Sequence, residues 1–319
     1  MAKRNALVTG GAGFIGSHLC KKLSKNHYDV IAIDDLSNGS GIKNIPKNVK
    51  LVKGDILDIK KFRNVCKKVD VVFHLAVKPL VMSFNKPDEV VRVNDFGTYL
   101  IAKTCMEQKI KLVHVSSSEA YGSAVSLPMK EEHPLLPSTI YASSKAASEL
   151  YVRGFEKTDG LKMVIIRPFN SYGEFMRDDM YGAVFPKFLE RLRKGKACII
   201  NGTGTQTRDF TYVGDTCEGI MLADQTNQAI GGTFNIAQGK ETSINKIAKL
   251  MTKKYNYITG KKISANFVYK KERPGDVMRH LADIGHAKKI LGYTPKVSIE
   301  DGLSKFIEWN LNESTIRKR

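Results

Sequence analysis

The chain has 319 residues, of which 42% are hydrophobic and 26% charged, the balance of a soluble globular protein with two domains or one large domain and an appended lobe. That balance excludes a disordered tail, a collagen-like repeat and a coiled coil. The formal net charge of +19 suits nucleic acid, an anionic membrane or a phosphate-bearing small molecule, and equally a lysine-rich solvated surface.

In chain order, the first half alternates short apolar runs with amphipathic stretches. Ala6–Thr9 reads as a strand and is followed by a helix through Ile15, Leu19 and Leu23. Val30–Ile33 and Val49–Val52 read as strands, with a helix from about Asp58. Val69–Leu75 is a fourth strand, and a long helix is predicted over Asp88–Gln108, after a stop signal at Pro87. Leu112–Val115 and Met163–Ile166 are further strands, separated by helical spacing from Tyr141 to Leu150. Such alternation implies right-handed crossovers and a Rossmann-type, doubly wound parallel sheet, an α/β fold with helices on both faces. After Pro168 the texture turns irregular, with helical spacing at Phe185–Gly195 and Asn245–Tyr255. Gly232–Ala237 reads as a strand returning to the main sheet. The expected division is a dinucleotide-binding domain over residues 1–172 with a return segment around 208–240. Residues 173–207 and 241–319 then form a smaller, discontinuous C-terminal α/β substrate-binding lobe. The basic tail Ile316–Arg319 is expected to fray.

No window reaches the roughly 18 apolar residues of a membrane span. Met1–Asn5 lacks the marks of a signal peptide. The five cysteines contain no C-x-x-C and are expected as buried free thiols in a reducing, cytoplasmic setting. The seven histidines show no metal-ligand spacing, so no metal is expected.

Thr9-Gly10-Gly11-Ala12-Gly13-Phe14-Ile15-Gly16 joins the first strand to the first helix. Glycines permit the tight turn and a close backbone approach to a pyrophosphate, and the helix N-terminus offers unclaimed N–H groups. The second strand ends at Asp34-Asp35. A carboxylate there accepts bonds from ribose hydroxyls and repels a 2′-phosphate, which favours NAD over NADP. Gly54-Asp55-Ile56 follows the third strand, where an aspartate suits an adenine amino group.

Tyr141 and Lys145 stand four apart on a predicted helix, so phenol and ammonium share a face. A free tyrosine ionises near ~10, and a base at neutrality needs that value about 3 units lower, roughly 4 kcal/mol. A lysine cation and an oxidised nicotinamide together supply such a field. Ser116, Ser117, Ser118 and Glu119 follow a strand, where a hydroxyl binds the same substrate oxygen as the phenol.

These features resemble an extended short-chain dehydrogenase/reductase of the NAD-dependent nucleotide-sugar epimerase/dehydratase family. The resemblance spans nearly the whole chain: the glycine turn Thr9–Gly16, Asp34–Leu36, Gly54–Ile56, His74–Ala76, Asn94–Thr98, Ser116–Gly122, Tyr141–Lys145, Arg167–Gly173, Thr207–Phe210 and Arg273–Asp276. It implies that Tyr141 is the base at the sugar 4-hydroxyl, that Lys145 binds the nicotinamide ribose and tunes Tyr141, and that Ser117 bonds the 4-oxygen. NAD would be held by Gly10, Gly13, Phe14, Ile15, Gly16, Asp34, Asp35, Asn38, Gly39, Asp55 and Ile56. Leu75, Ala76, Val77, Asn94, Ser116, Tyr141, Lys145 and Pro168 would complete that site. The nucleotide-diphosphate sugar, UDP-linked by the look of the C-terminal motif, would meet Lys78, Ser83, Ser118, Phe169, Asn170, Arg208, Arg273 and Asp276. A guanidinium fork at Arg208 and Arg273 suits phosphate oxygens. A homodimer through the helices at about 88–108 and 138–158 is a further implication.

Within the family the reactions share oxidation at carbon 4 and then diverge. Glu119 lies two residues beyond Ser117, so on an extended segment both would face the sugar. The S-S-E-A-Y-G run is similar to that of nucleotide-sugar dehydratases and UDP-glucuronate decarboxylases, where a carboxylate acts at carbon 5. Epimerases usually carry a small or neutral residue there. Ser118 departs from the aspartic acid of thymidine-diphosphate-glucose dehydratases and is closer to GDP-mannose-type dehydratases. Arg273–Val277 and Leu281–Ile284 look like the ending of UDP-sugar 4-epimerases. A 4,6- or 5,6-dehydratase is therefore the leading expectation, with a 4-epimerase next and a decarboxylase third. A non-catalytic NAD- or RNA-binding protein is the reading from another class, against which the intact Tyr141/Lys145 pair and the scattered basic residues weigh.

Overall fold

A computed structural model describes residues 3–37, 41–176, 184–272 and 277–316. The strands form where apolar residues alternate or run together: β1 (Arg4–Thr9), β2 (Tyr28–Asp34), β3 (Lys50–Lys53), β4 (Val71–His74), β5 (Lys111–Val115), β6 (Met163–Pro168), β7 (Asn170–Tyr172), β8 (Cys198–Asn201), β9 (Thr207–Tyr212), β10 (Thr233–Ile236), β11 (Glu241–Ser243) and β12 (Phe267–Lys270). Seven of them make one parallel sheet in the order β10-β6-β5-β4-β1-β2-β3. Phe234 pairs with Ile166, so the predicted return strand does rejoin the main sheet.

Alternate residues of each strand feed opposite cores, as the period of two requires. Ala6 and Val8 of β1 face a cluster with Leu19, Leu23, Ile220 and Leu291, from the helices Phe14–Ser24, Val213–Gln225 and Gly285–Leu291. Leu7 faces the other side, with Phe62, Ile101, Cys105 and Val152 from the helices Ile59–Cys66, Gly97–Glu107 and Ile140–Asp159. A third core joins Phe185, Leu189, Met251, Tyr255, Phe306 and Ile307, from the helices Val184–Arg193, Ile244–Thr259 and Ile299–Ile316. β7, β9 and β11 form a small sheet of their own, and β8 and β12 another. All five cysteines are free and buried, and no described helix is long and apolar enough to cross a membrane. The terminal residues 317–319 lie outside the described residues.

The chain reverses its direction of travel across the sheet between β1 and β4, which opens a crevice at their C-terminal ends. Thr9 and His74 meet there: Thr9 Oγ1 lies 2.7 Å from His74 Nδ1 and accepts the backbone N–H groups of Leu75 and Ala76. Burial pushes the imidazole down to about 3, and the charge of Lys145 adds to this, so His74 is a neutral crosspiece. Its Nε2 lies 3.0 Å from Thr98 Oγ1.

The predicted helix over Asp88–Gln108 is present but not uniform. Its first turn begins at Pro87, Val91–Phe96 is wound more widely as a π-type stretch, and a regular helix follows over Gly97–Glu107. Proline is well placed at a helix start, because its missing N–H would be unsatisfied there anyway. The wide turn carries Asn94 inward, where its amide bonds both the N–H and the carbonyl of Lys78.

The third core is a separate packing unit of large side chains, and its loss is measurable. Phe306, fully buried, when changed to Ala should cost about 3–5 kcal/mol of stability, read as a lowered urea midpoint with an unchanged slope.

Candidate active site

The crevice widens into a cleft of about 490 Å³ running from the glycine turn to the third core. Gly10 sits at φ +66°, and a Cβ there would fall 2.8 Å from the Ala76 backbone. A Cβ on Gly16 would fall 2.1 Å from the Gly10 carbonyl oxygen. The following helix is capped at Gly13 with no side-chain hydrogen bond, so no side chain claims its first N–H groups. Gly10, Gly13, Phe14, Ile15 and Gly16 all line the cleft. This is a cradle that only glycines permit, and it fits a pyrophosphate.

The acidic residues around it are partly engaged. Asp34 accepts N–H groups from Ala12 and Leu36 at 2.9 Å each. Burial raises its carboxyl above the usual range against these bonds. Asp35 is partly buried, yet its bonds to Ser37 and Lys78 hold it below the usual range. Lys78 Nζ lies 2.9 Å from Asp35. Asp34, Asp35, Asp55, Ile56, Leu75, Ala76, Val77, Lys78, Ser116 and Pro168 also line the cleft.

The chemistry-bearing residues come from two elements. Ser117 is extended and ends the segment after β5; its Oγ accepts the Glu119 N–H at 3.2 Å and starts a 3-10 turn over Ser118–Tyr121. The expectation that Glu119 shares a face with Ser117 on an extended segment is therefore wrong. The serine's own cap turns the chain, and Glu119 reaches the cleft from a turn of 3-10 helix. Tyr141 and Lys145 lie on the Ile140–Asp159 helix, which Thr139 caps by accepting the Ala142 N–H. Both line the same cleft as Ser117 and Glu119. Burial pushes the Tyr141 phenol up to about 12; its hydrogen bond with Ser117 pulls it down, and the charge of Glu119 pushes it up. Burial pushes Lys145 down to about 8 against the pull of Glu149. Its Nζ donates to the Val115 carbonyl at 2.8 Å. With its value raised by burial, Tyr141 is a protonated phenol in this state.

On the substrate side, Ser118, Phe169, Asn170 and Arg208 line the cleft, as do Lys187 and Gln206, which the sequence did not single out. Arg208 Nη1 donates to the carbonyls of Thr207 and Val277. Two expected residues are not brought to the cleft surface. Ser83 is buried and donates to the Leu80 carbonyl. Asn94 is spent on the Lys78 backbone. Asn38, Gly39, Arg273 and Asp276 lie outside the described residues. Sequence reasoning also passed over His280, whose Nδ1 lies 3.4 Å from Asn170 Nδ2 and whose ring lies 4.7 Å from Phe169. Burial pushes it down to about 4, and the charge of Arg208 adds to this, so it is a neutral ring beside Asn170. Its position four residues after Asp276 was the available signal.

The family model described as GDP-mannose 4,6 dehydratase matches residues 7–306. A dTDP-D-glucose 4,6-dehydratase of Bos taurus is 34% identical over 97% of this chain and 88% of its own length. A UDP-glucose 4-epimerase of Thermotoga maritima, solved with UDP-glucose, superposes with a TM-score of 0.90 at 33% identity, covering 97% of this chain and 99% of that one. A dTDP-glucose 4,6-dehydratase of Streptomyces venezuelae, solved with NAD, gives 0.87 at 29% identity, with 98% of each chain covered. The chain belongs to the GDP-mannose 4,6-dehydratase family of extended short-chain dehydrogenases/reductases, and it is an enzyme of that class.

The raised phenol is open to direct measurement. The absorbance titration of the ligand-free protein minus that of Tyr141→Phe should show no ionisation of Tyr141 below about pH 10. A step near neutrality would contradict the burial described here.

Proposed function

We propose that this enzyme is an NAD-dependent nucleotide-sugar 4,6-dehydratase acting on a UDP-linked hexose. The observation that carries this reading is a carboxylate, Glu119, in the same cleft as Ser117 and Tyr141 and near enough to act on the phenol. The glycine cradle and the NAD-bound dehydratase of Streptomyces venezuelae support the cofactor, and the nucleotide-sugar names of the relatives support the substrate class. NAD, when bound, accepts the hydride of carbon 4 and returns it later, so it ends each turnover unchanged.

In this reading Ser117 holds the sugar's 4-oxygen while Tyr141 takes its proton. An oxidised nicotinamide and the Lys145 ammonium together lower the phenol from its buried value. The resulting 4-keto group acidifies the proton at carbon 5, and Glu119 removes it. The electron pair left behind expels the carbon-6 hydroxyl, which leaves as water with the proton Glu119 has just taken; the hydride from carbon 4 is then returned to carbon 6 and a proton to carbon 5. Arg208 and Asn170 hold the diphosphate, with Arg208 as a charged fork in a partly dry cleft.

A second reading, 4-epimerisation, is favoured by one observation. Ser118 stands where an aspartic acid would donate to the leaving hydroxyl and is a far weaker acid, whereas an epimerase needs no such acid. Incubation with UDP-glucose, read by mass spectrometry, separates the two: loss of one water marks the dehydratase, an unchanged mass with a new retention time the epimerase. Tyr141→Phe should lose at least 100-fold in turnover. Glu119→Gln should still reduce bound NAD on mixing with substrate but release no dehydrated product. Full dehydration by that variant would remove Glu119 from carbon 5.

The homodimer also belongs to this reading. Val91, Phe96, Ile140, Leu150 and Tyr151 are exposed on two adjoining helical segments, and the Phe96, Tyr99 and Tyr151 rings form a continuous patch. Apolar surface of this kind is normally covered. Leu150→Arg should convert a species of two chains into one of a single chain in sedimentation velocity; a single-chain parent protein would rule the dimer out.

A further inference from the structure

We propose that Glu149 is the positioning residue for Lys145: its carboxylate, clamped by Arg167, keeps the lysine an ammonium at the floor of the cleft. The inference rests on reading Tyr141 and Lys145 as the acting pair.

The geometry is that of a charge held in place. Glu149 lies one helical turn beyond Lys145, as Lys145 lies one turn beyond Tyr141, so all three share a face of the Ile140–Asp159 helix. Glu149 and Arg167 are both almost wholly buried. Arg167 Nε reaches the two carboxylate oxygens at 3.0 and 3.2 Å, and its Nη2 reaches Oε2 at 2.6 Å. The guanidinium is fixed in turn by the Glu131 carbonyl at 2.9 Å and by the Tyr121 ring, 4.5 Å beneath it. A carboxylate gripped in this way is held in a fixed position without water.

Lys145 needs that anion. Its own hydrogen bond goes to a neutral carbonyl, that of Val115. From β5 it is approached by His114 and from β4 by His74, two rings stacked at 5.6 Å. Burial keeps both neutral, and the lysine's charge adds to the effect. Tyr141 on the same helix is a neutral phenol in this state, and the Arg167 beyond Glu149 is a cation. Glu119 acts on the phenol rather than on the lysine. Of these groups, Glu149 is the anion that favours the charged lysine, and burial works against it. An arginine–glutamate pair serving stability alone would need no lysine beside it. Two cations around one carboxylate leave a net positive charge that a Tyr141 phenolate balances.

The sign follows directly. Removing the carboxylate lowers the lysine further, so the ammonium is lost at a lower pH and the alkaline limb of kcat/KM moves to the acid side. The experiment uses carbon-13-labelled lysine in the full-length protein, with the Lys145 resonance assigned by Lys145→Arg. The parent should titrate near 8 and Glu149→Gln at least one unit lower, a tenfold change in the proton equilibrium. Breaking a buried pair can unfold the protein, so a paired Glu149→Leu, Arg167→Met variant, which leaves no uncompensated charge, is measured alongside. An unchanged Lys145 midpoint in either folded variant overturns the proposal. Tyr141→Phe with full turnover would overturn the catalytic reading instead and would leave the lysine titration as it stands.

Discussion

The constraint on which this structure turns is desolvation beneath the cleft. The ammonium of Lys145, the carboxylate of Glu149 and the guanidinium of Arg167 are removed from bulk water, and the Tyr141 phenol is partly so at the cleft wall. An isolated charge in such a place is costly, and each is tolerated only beside an opposite one. Arg167 and Glu149 satisfy each other through three contacts. Lys145 has a carbonyl and the more distant carboxylate, and Tyr141 has a serine hydroxyl and therefore stays protonated. The pair thus rests in a state from which the arrival of positive charge at the cleft would release a proton. This is how one burial serves both the resting protein and the reacting one.

The sheet positions this floor. Reversal of the strand order at β1 and β4 opens a crevice that hydrogen bonds must hold at a fixed width, and the Thr9–His74–Thr98 chain does so with neutral groups. A charged imidazole at His74 would add a cation behind Lys145. Burial and the lysine itself both prevent it. The same wall continues through Asn94, whose amide takes over the backbone bonds of Lys78, and Lys78 in turn bridges Asp35 at the rim. Central strand ends, crosspiece, wide helical turn and cleft rim are linked by hydrogen bonds from end to end.

Much of this was legible in the sequence because it rests on local rules. The glycine turn is dictated by a left-handed residue and by a contact that a single methyl would break, so Gly10 and Gly16 carry their own signature. The spacing of Tyr141 and Lys145 needs only a helix, and the period of two in β1 needs only a sheet. The failures came where a side-chain bond to backbone, near or far in the chain, decides. Glu119 was placed on an extended segment because nothing in the string shows that the Ser117 hydroxyl will cap the next turn. Asn94 read as a cofactor residue, and Ser83 as a substrate one. What spends them is backbone: that of Lys78, which folding brings to Asn94, and that of Leu80, a single turn before Ser83. His280 gave no metal spacing and was set aside; its partner, Asn170, is 110 residues away. Glu149 and Arg167 likewise look like unrelated surface charges until β6 lies against the helix.

Glu119 also bears on the choice between reactions through its cost. Its charge pushes the Tyr141 phenol up, which opposes the proton transfer that begins either reaction. An epimerase that only turns a keto sugar over has no use for a carboxylate at this position, and a neutral side chain would leave its tyrosine a better base. A dehydratase recovers the loss in the next step, where an anion beside carbon 5 is the group the chemistry requires. In the proposed reading the Lys145 ammonium, together with a bound oxidised nicotinamide, offsets that penalty. Glu119 lines the cleft, where on the same reading it takes the carbon-5 proton, while Glu149 is buried against Arg167 and does not line the cleft.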